Sequence, residues 1–338
     1  MRWLLWLACA SVASAQQPTL RGTVISAETR EPLGLTIVTL YPGLGTQFTD
    51  AAGAFSFANV GAGTYLLSVR QIGYVPLDTQ FVLHSDAPAS LLLVLRRLAV
   101  ELPVITVVGH PRCTKPGPPD REVTPALAAV FDQLMENARR LELLADSYPF
   151  RYRLERTQRE VSQRGDSLRP AVDTLEFSQD ETRRQYTPGF VVGPGSGPLS
   201  GSIVVSLPTL HELADSRFHK NHCFRLAGRD TIEGQTLVRI DFEPAEDVGS
   251  PDLAGSAYLD SVTYALKFTE SRLTRPERSE LRGLRSLVAR IRFRDIAPGI
   301  PLHDYLRAVW QYRSGSYLNR VETQRLLSVR FRRPLPQE

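Results

Sequence analysis

The sequence predicts a mainly β protein of the α+β class, with a small N-terminal β-sandwich, then a curved antiparallel sheet with one long helix. Between residues 20 and 74, β-branched and aromatic runs alternate with turns that contain Gly, Pro, Asp or Asn, a pattern typical of a small sandwich. Residues 123–146 carry apolar side chains at three- and four-residue spacing, as an amphipathic helix requires. Beyond them, β-rich runs joined by short polar connections favour antiparallel pairing.

Residues 1–15 have the features of a secretory signal. Arg2 precedes a short apolar run that ends in Ala13-Ser14-Ala15, and this order of charge, apolar segment and A-x-A site is typical of export. The run is shorter than the roughly 20 residues that cross a bilayer. We therefore expect cleavage before Gln16, export to the periplasm or the outer membrane, and no transmembrane helix; a buried N-terminal helix is the alternative.

The charge composition gives no indication of nucleic-acid binding. The formal net charge is +4 over 338 residues, and nearly all the basic residues are arginines. A GC-rich codon bias explains this composition more simply than a basic patch does, and an exported protein rarely meets nucleic acid. The sequence therefore predicts partners of another kind.

The strands of the sandwich follow from local pattern. The β-branched residues of 35–40 favour extended backbone. Residues 49–53 form a turn, in which Asp50 can bond to the nearby backbone and Gly53 can take a positive φ. Phe55 and Phe57 then point to one face, because alternate side chains of a strand share a face. Two such faces can bury each other.

Five motifs in this order resemble the carboxypeptidase regulatory-like domain. They are G-x-V at residues 22–24, P-L-x-x-x-x-V at 32–38, T-D-x-x-G-x-F-x-F at 49–57, G-x-Y-x-L at 63–67 and G-Y at 73–74. The resemblance covers residues 20–96 and implies a prealbumin-like β-sandwich. It also implies an accessory module that carries no peptidase catalytic residues, so we expect no enzyme activity and no cofactor.

The predicted domains are a signal at 1–15, the sandwich at 18–97, a linker at 98–122 and an α+β domain at 123–334. Within the linker, the motif L-P-x-I-x-V-x-G at 102–109 resembles the strand that follows such a sandwich in TonB-dependent outer-membrane receptors. The roughly 220 residues that follow are too few for the large barrel of those receptors, at about 10 residues per strand plus connections. The Pro-rich residues 111–119 cannot be helical.

Two further resemblances concern the C-terminal domain. Residues 254–270 read AGSAYLDSVTYALKFTE and are similar to the strand–turn–strand repeats of lipoprotein-carrier-like half-barrels. The triplet His222-Cys223-Phe224 is similar to one in exported bacterial proteins that join the regulatory-like module to an uncharacterised C-terminal domain. The first resemblance implies a curved antiparallel sheet in the C-terminal domain.

Cys113 and Cys223 are the two cysteines that remain after cleavage of the signal. In an oxidising compartment two such cysteines usually bond, and the bond would join the linker to the C-terminal sheet. Two separate buried thiols are the alternative.

The one cluster of ligand-like residues contains His211, Asp215, His219 and His222. If residues 208–218 are helical, spacings of four place the first three on one helical face, where zinc could accept imidazole and carboxylate. However, the motif is H-E-x-x-D and not the H-E-x-x-H of zinc peptidases. A short exposed helix that leads into a strand explains the same residues, with His222 packed beside Cys223.

Other candidate motifs have ordinary explanations. The glycines of residues 193–197 match neither a P-loop nor a nucleophile elbow, which favours a mobile surface loop. The carboxylates Asp241, Glu243, Asp252 and Asp260 have no spacing that pairs them for acid–base chemistry, so solvated positions are expected. Trp310, Tyr312 and Tyr317 could form a sugar-binding platform but more often cover a sheet face.

The sequence therefore predicts a non-enzymatic exported protein of the cell envelope. Its sandwich would be an interaction or spacer module, and its C-terminal sheet would bind an apolar ligand or an envelope protein. Glycan binding through the sandwich, and a metal-dependent hydrolase that uses His211, Asp215 and His219, are the alternatives.

Overall fold

The computed structural model describes residues 19–43, 45–84, 89–99, 112–162, 168–179, 186–297, 299–313 and 318–333. The predicted export signal and the motif at residues 102–109 lie outside these ranges. The chain divides into two compact units. The N-terminal unit extends to residue 96 without residues 72–75, which belong with residues 97–337 to the C-terminal unit.

The N-terminal unit consists of β-strands in its described part. The strands are β1 (Thr19–Ser26), β2 (Ile37–Tyr41), β3 (Gly45–Phe48), β4 (Ala54–Ala58), β5 (Gly63–Arg70), β6 (Leu77–Leu83) and β7 (Ala89–Leu95). They form a four-stranded sheet in the order β3-β2-β5-β6 and a three-stranded sheet in the order β4-β1-β7. The predicted sandwich is confirmed, but β1 and β7 pair in parallel, so the sandwich is not wholly antiparallel.

The turn that precedes β4 forms as its residues predict. Asp50 Oδ1 accepts a hydrogen bond of 2.8 Å from the Ala54 backbone N–H, and Gly53 has a φ of 70°. A Cβ atom at Gly53 would lie 2.5 Å from the carbonyl oxygen of Val24, so this turn requires glycine for both its backbone conformation and its packing.

The single long helix of the described chain is α1 (Pro125–Ser147). Pro125 occupies its first turn, a position that suits proline. The Thr124 side chain does not cap the helix and donates a hydrogen bond to the Asp120 carbonyl oxygen. The apolar residues at three- and four-residue spacing form a buried face, in which Leu141 is half-buried. The buried members are Leu127, Val130, Phe131, Leu134, Ala138 and Ala145. This face packs into the core of the C-terminal unit.

The C-terminal unit contains the remaining strands and two short helices, α2 (Leu210–Ala214) and α3 (Ser216–Asn221). The strands are β8 (Phe150–Val161), β9 (Ala171–Ser178), β10 (Val192–Pro194), β11 (Ile203–Val205), β12 (His222–Ile232), β13 (Gln235–Pro244), β14 (Leu253–Asp260), β15 (Leu266–Leu273), β16 (Leu284–Ala297), β17 (Ile300–Tyr312) and β18 (Asn319–Phe331).

Nine of these strands form one antiparallel sheet in the order β12-β13-β14-β15-β16-β17-β18-β8-β9. The strand–turn–strand expected at residues 254–270 is present in β14 and β15, because the Asp260 carboxylate accepts hydrogen bonds from the backbone N–H groups of Val262 and Thr263 and closes the turn. Strand β10 pairs with β11 in a separate hairpin. The α+β prediction of one long helix with a large antiparallel sheet is confirmed. No helix in the described ranges is long and apolar enough to cross a membrane.

Candidate ligand-binding site

A disulfide joins Cys113 to Cys223, with 5.4 Å between their Cα atoms. Cys113 is buried, and its carbonyl oxygen accepts a hydrogen bond from the Glu246 backbone N–H. The Gly117 N–H donates to the His222 carbonyl oxygen. The pairing predicted from the sequence is thus present in the structure, and it fastens the segment before α1 to the edge strand β12.

The three residues predicted to share one helical face, His211, Asp215 and His219, do not lie on one continuous helix. The segment expected to be a single helix breaks at Asp215, which ends α2 in an extended conformation and caps α3 through a hydrogen bond from the Arg217 N–H. His211 instead lies 3.5 Å from a Glu142 carboxylate oxygen on α1. Because Asp215 can cap the N-terminus of a helix, a polar residue at this position favours a break over a continuous helix.

The two buried histidines of the cluster use their ring nitrogens to bond backbone carbonyl oxygens. His219 Nε2 lies 2.6 Å from the Leu213 oxygen. His222 Nδ1 lies 2.9 Å from the Phe218 oxygen and its Nε2 lies 3.0 Å from the Leu253 oxygen. In the described part of the chain, no three His, Cys, Asp or Glu side chains are arranged to hold a metal ion.

Asp252 lies in the core beside His222, contrary to the expectation of a solvated carboxylate. Asp252 and His222 are both fully buried, and Asp252 Oδ1 lies 3.7 Å from His222 Nε2. The Tyr186 hydroxyl donates a 2.6 Å hydrogen bond to Asp252 Oδ2. Burial, together with this neighbouring carboxylate, raises the pKa of Tyr186 above its usual range. These contacts hold the residues before β10 against β12 and β14.

The glycine-rich segment 193–197 is part of a structured hairpin rather than an isolated surface loop. Gly193 and Pro194 belong to β10, which pairs with β11. Residues of this hairpin line two cavities over one face of the large sheet. The apolar run Ile203-Val204-Val205 is the sequence signal that could have indicated a strand here.

The first cavity, named here the apolar cavity, has a volume of about 270 Å³ and lies between α1, the hairpin and the sheet. Apolar side chains make up most of its lining, among them Ala138 and Leu141 of α1, Tyr152 and Leu154 of β8, Leu207 after the hairpin and Phe293 of β16. Tyr152 and Leu154 are two residues apart on one strand and so share a face. A cavity with such walls suits an apolar chain.

His303 on β17 is a polar group in the wall of the apolar cavity. Burial lowers the pKa of His303 to about 4, against smaller opposing effects of Asp304 and of a hydrogen bond with Gln324. His303 is therefore neutral near pH 7. Its Nε2 atom is buried and has no hydrogen-bond partner among the described residues.

The second cavity, named here the polar cavity, has a volume of about 760 Å³. Three rows of side chains across β17, β18 and β8 form much of its wall, and the strand register defines them: Leu306, Gln324 and Arg156; Ala308, Glu322 and Gln158; Trp310, Arg320 and Glu160. Leu306 and Gln324 also line the apolar cavity. The two cavities are therefore adjacent parts of one groove.

The predicted aromatic platform for sugars does not form an open surface. Trp310 is only 5% exposed, and the Arg320 guanidinium carbon lies 4.5 Å from the centroid of its ring. Tyr312 is half-buried at the polar cavity, and Tyr317 lies outside the described residues. These aromatic residues cover a sheet face, which was the alternative interpretation of the pattern.

Comparison with known families agrees with the architecture of the N-terminal unit. Residues 19–96 match the family model of the carboxypeptidase regulatory-like domain. The N-terminal unit is a carboxypeptidase regulatory-like domain. The match covers less than half of the chain, so it describes this unit alone. No curated protein matches the sequence.

Three solved structures with some similarity have low identities and TM-scores. A putative outer membrane lipoprotein-sorting protein domain from Vibrio parahaemolyticus is 11% identical, with 61% of this chain and 94% of that chain covered, at a TM-score of 0.32. A LolA superfamily protein from Nitrosomonas europaea is 10% identical, with 60% of this chain and 94% of that chain covered, at a TM-score of 0.29. The 5-hydroxyisourate hydrolase of Klebsiella pneumoniae is 21% identical, with 24% of this chain and 88% of that chain covered, at a TM-score of 0.20. Likenesses this weak carry no argument about function.

Proposed function

We propose that this protein is an exported, non-enzymatic component of the cell envelope that binds an apolar chain in its C-terminal unit. The observation that carries the proposal is the apolar cavity between α1, the β10–β11 hairpin and the large sheet. The regulatory-like domain would then be the interaction or spacer module. The proposal of export rests on the signal-like sequence of residues 1–15.

The shape and chemistry of the groove support a flexible apolar ligand. The apolar cavity is lined from several elements, so a chain inside it would be surrounded by α1 on one side and β8 and β17 on another. Each methylene removed from water contributes about 0.8 kcal/mol, so about ten buried methylenes correspond to the roughly 8 kcal/mol of a micromolar dissociation constant. Burial keeps His303 in its wall neutral near pH 7.

A substitution that fills the apolar cavity tests the proposal. Ala138 is buried on the face of α1 that lines the cavity, so Ala138→Phe places a ring in the space of the ligand. If the ring displaces two or three methylenes, at about 0.8 kcal/mol each, the dissociation constant for dodecyl amphiphiles rises about 10-fold to 50-fold. Calorimetric titration of the chain from Gln16 onward measures this change.

Met135→Phe on the exposed side of the same helix is the matched control and leaves the dissociation constant unchanged. Circular dichroism establishes that both variants are folded, and Leu141→Trp, at a half-buried position of the same wall, provides a second variant if Ala138→Phe unfolds. Absence of dodecyl binding to the unsubstituted protein, or equal binding by folded cavity-filled and control variants, would reject the proposal.

A further inference from the structure

The side chains of the groove change from apolar to polar along its length, as the two ends of an amphiphile do. On β8 the side chains on the groove face pass from Leu154 to Arg156, Gln158 and Glu160. On β17 they pass from Leu306 to Ala308 and then Trp310. A ligand with its chain in the apolar cavity therefore extends its other end into the polar cavity, where the two cavities meet at Leu306 and Gln324.

The far row of the polar cavity contains two buried donors. Trp310 Nε1 and Arg320 Nε have no hydrogen-bond partner among the described residues. An indole N–H and a guanidinium N–H can only donate, and a buried donor without an acceptor is unfavourable. Both side chains face each other across β17 and β18 in the register. The same row therefore offers two adjacent sites for oxygen acceptors.

The carboxylate in the next row does not serve these donors. Glu322 Oε2 accepts a 2.9 Å hydrogen bond from Gln158 Nε2, and Glu322 Oε1 accepts a 2.8 Å hydrogen bond from Gln324 Nε2. Glu322 is thus held between two amides. Glu160 and Glu280, which also line the cavity, are exposed at its rim.

Arg156 is also already paired, with the Asp173 carboxylate. Its Nε donates a 2.9 Å hydrogen bond to Asp173, and its Nη2 contacts the second carboxylate oxygen. This bidentate pair and its hydrogen bonds raise the pKa of Arg156. The polar cavity is lined by three arginines and three glutamates, so its formal charge does not select a ligand. The choice of ligand therefore depends on the hydrogen-bond donors of Trp310 and Arg320.

We infer that the ligand is an amphiphile whose head group presents acceptor oxygens, a carboxylate or a phosphate, to Trp310 Nε1 and Arg320. This inference rests on the proposed function, because the chain of the same ligand occupies the apolar cavity. The Arg320 guanidinium lies over the indole ring, and the donor atoms are buried. The head group therefore reaches Trp310 Nε1 when the long Arg320 side chain turns to pair with it.

The test compares head groups on one chain length. Dodecanoate, dodecyl phosphate and dodecyltrimethylammonium are titrated calorimetrically into the protein below their micelle concentrations. The two anions bind at least about tenfold more tightly than the cation, as a hydrogen bond to a charged group provides. The tighter of the two anions identifies the head group as carboxylate or phosphate.

Trp310→Phe is the decisive variant because it removes the N–H and leaves an aromatic ring and the net charge in place. It weakens anion binding about tenfold and leaves the affinity for the cation unchanged. Arg320→Gln also removes the anion preference. Arg325→Gln, at an exposed position on the same strand that points to the face opposite Gln324, is the matched control and retains the preference.

The tryptophans of the sequence are Trp3, Trp6 and Trp310, so the chain from Gln16 onward gives one indole N–H signal in a proton–nitrogen NMR spectrum. Anions shift that signal to lower field, and the cation does not. Equal affinities for all three amphiphiles, or an equal effect of Trp310→Phe on anions and cation, overturn the head-group inference while chain binding stands. Failure of every amphiphile to bind overturns the proposed function, and this inference with it.

Discussion

Acidification below about pH 6.5 destabilises the C-terminal unit through His303. The ring lies in the wall of the apolar cavity, and burial lowers the pKa of His303 to about 4 from an ordinary value of 6.5. The folded state therefore prefers neutral His303, while the unfolded state takes up a proton first as the pH falls. The stability that neutral His303 contributes is present above about pH 6.5 and is lost as the pH falls towards 4.

The size of the effect follows from the two pKa values. The difference between 6.5 and about 4 corresponds to about 3 kcal/mol when the transition is complete, at about 1.4 kcal/mol for each pH unit. At pH 4.5 about 2.5 kcal/mol of this has been lost. Carboxylates protonate over the same range, so the histidine contribution has to be isolated by a variant.

Urea unfolding, followed through Trp310 fluorescence, measures the free energy of unfolding of the C-terminal unit at pH 7.5 and pH 4.5. His303→Gln keeps an amide for the hydrogen bond with Gln324 and cannot titrate. The stability advantage of the unsubstituted protein over this variant is about 2.5 kcal/mol smaller at pH 4.5 than at pH 7.5. His84→Gln, at an exposed histidine, shows no such difference. An advantage of His303 that is independent of pH would refute the reasoning.

Two further predictions concern the disulfide and the turn before β4. Replacing Cys113 and Cys223 together by Ala lowers the free energy of unfolding by about 4–5 kcal/mol in the chain-entropy model, because the bond closes a loop of 110 residues. Urea unfolding measures this change in the free energy of unfolding. The disulfide prediction would be contradicted if a reductant changed neither the stability of the unsubstituted protein nor its mass by two hydrogens. Gly53→Ala costs more than about 1–2 kcal/mol, because a Cβ there meets Val24. Calorimetric melting compares it with Gly61→Ala, where a Cβ meets nothing within 4 Å, and equal melting temperatures would be the contrary result.

The N-terminal unit could be predicted closely because its signals are local. The Asp50–Gly53 turn and the alternation of Phe55 and Phe57 each depend on a few neighbouring residues, and five motifs in order located the whole domain. The strands β3 and β6 were missed because each is half-exposed and so has few buried apolar residues. The parallel pairing of β1 with β7 was missed because it joins the two ends of the domain, where no turn links the strands.

The histidine cluster shows where spacing alone fails. Spacing of four residues places side chains together only within an unbroken helix, and Asp215 instead separates α2 from α3. His219 and His222 then turn to backbone carbonyl oxygens of Leu213, Phe218 and Leu253. The buried position of Asp252 depends on Tyr186, which is 66 residues away in the sequence. No local pattern contains a contact of that range.

The groove was inaccessible to sequence reasoning for a related reason. Alternation correctly assigns Tyr152 and Leu154 to one face of β8, but it does not say what covers that face. The covering elements are α1, predicted from its period, and the β10–β11 hairpin, whose glycines and prolines resemble those of a free loop. A strand with apolar residues at one end and polar residues at the other is ordinary by itself. The change along β8 acquires meaning in the sheet, because the register aligns its polar positions with Gln324, Glu322 and Arg320 of β18 and places Trp310 of β17 in the far row. The aligned strands then define a donor-rich end of the groove, beyond the apolar cavity.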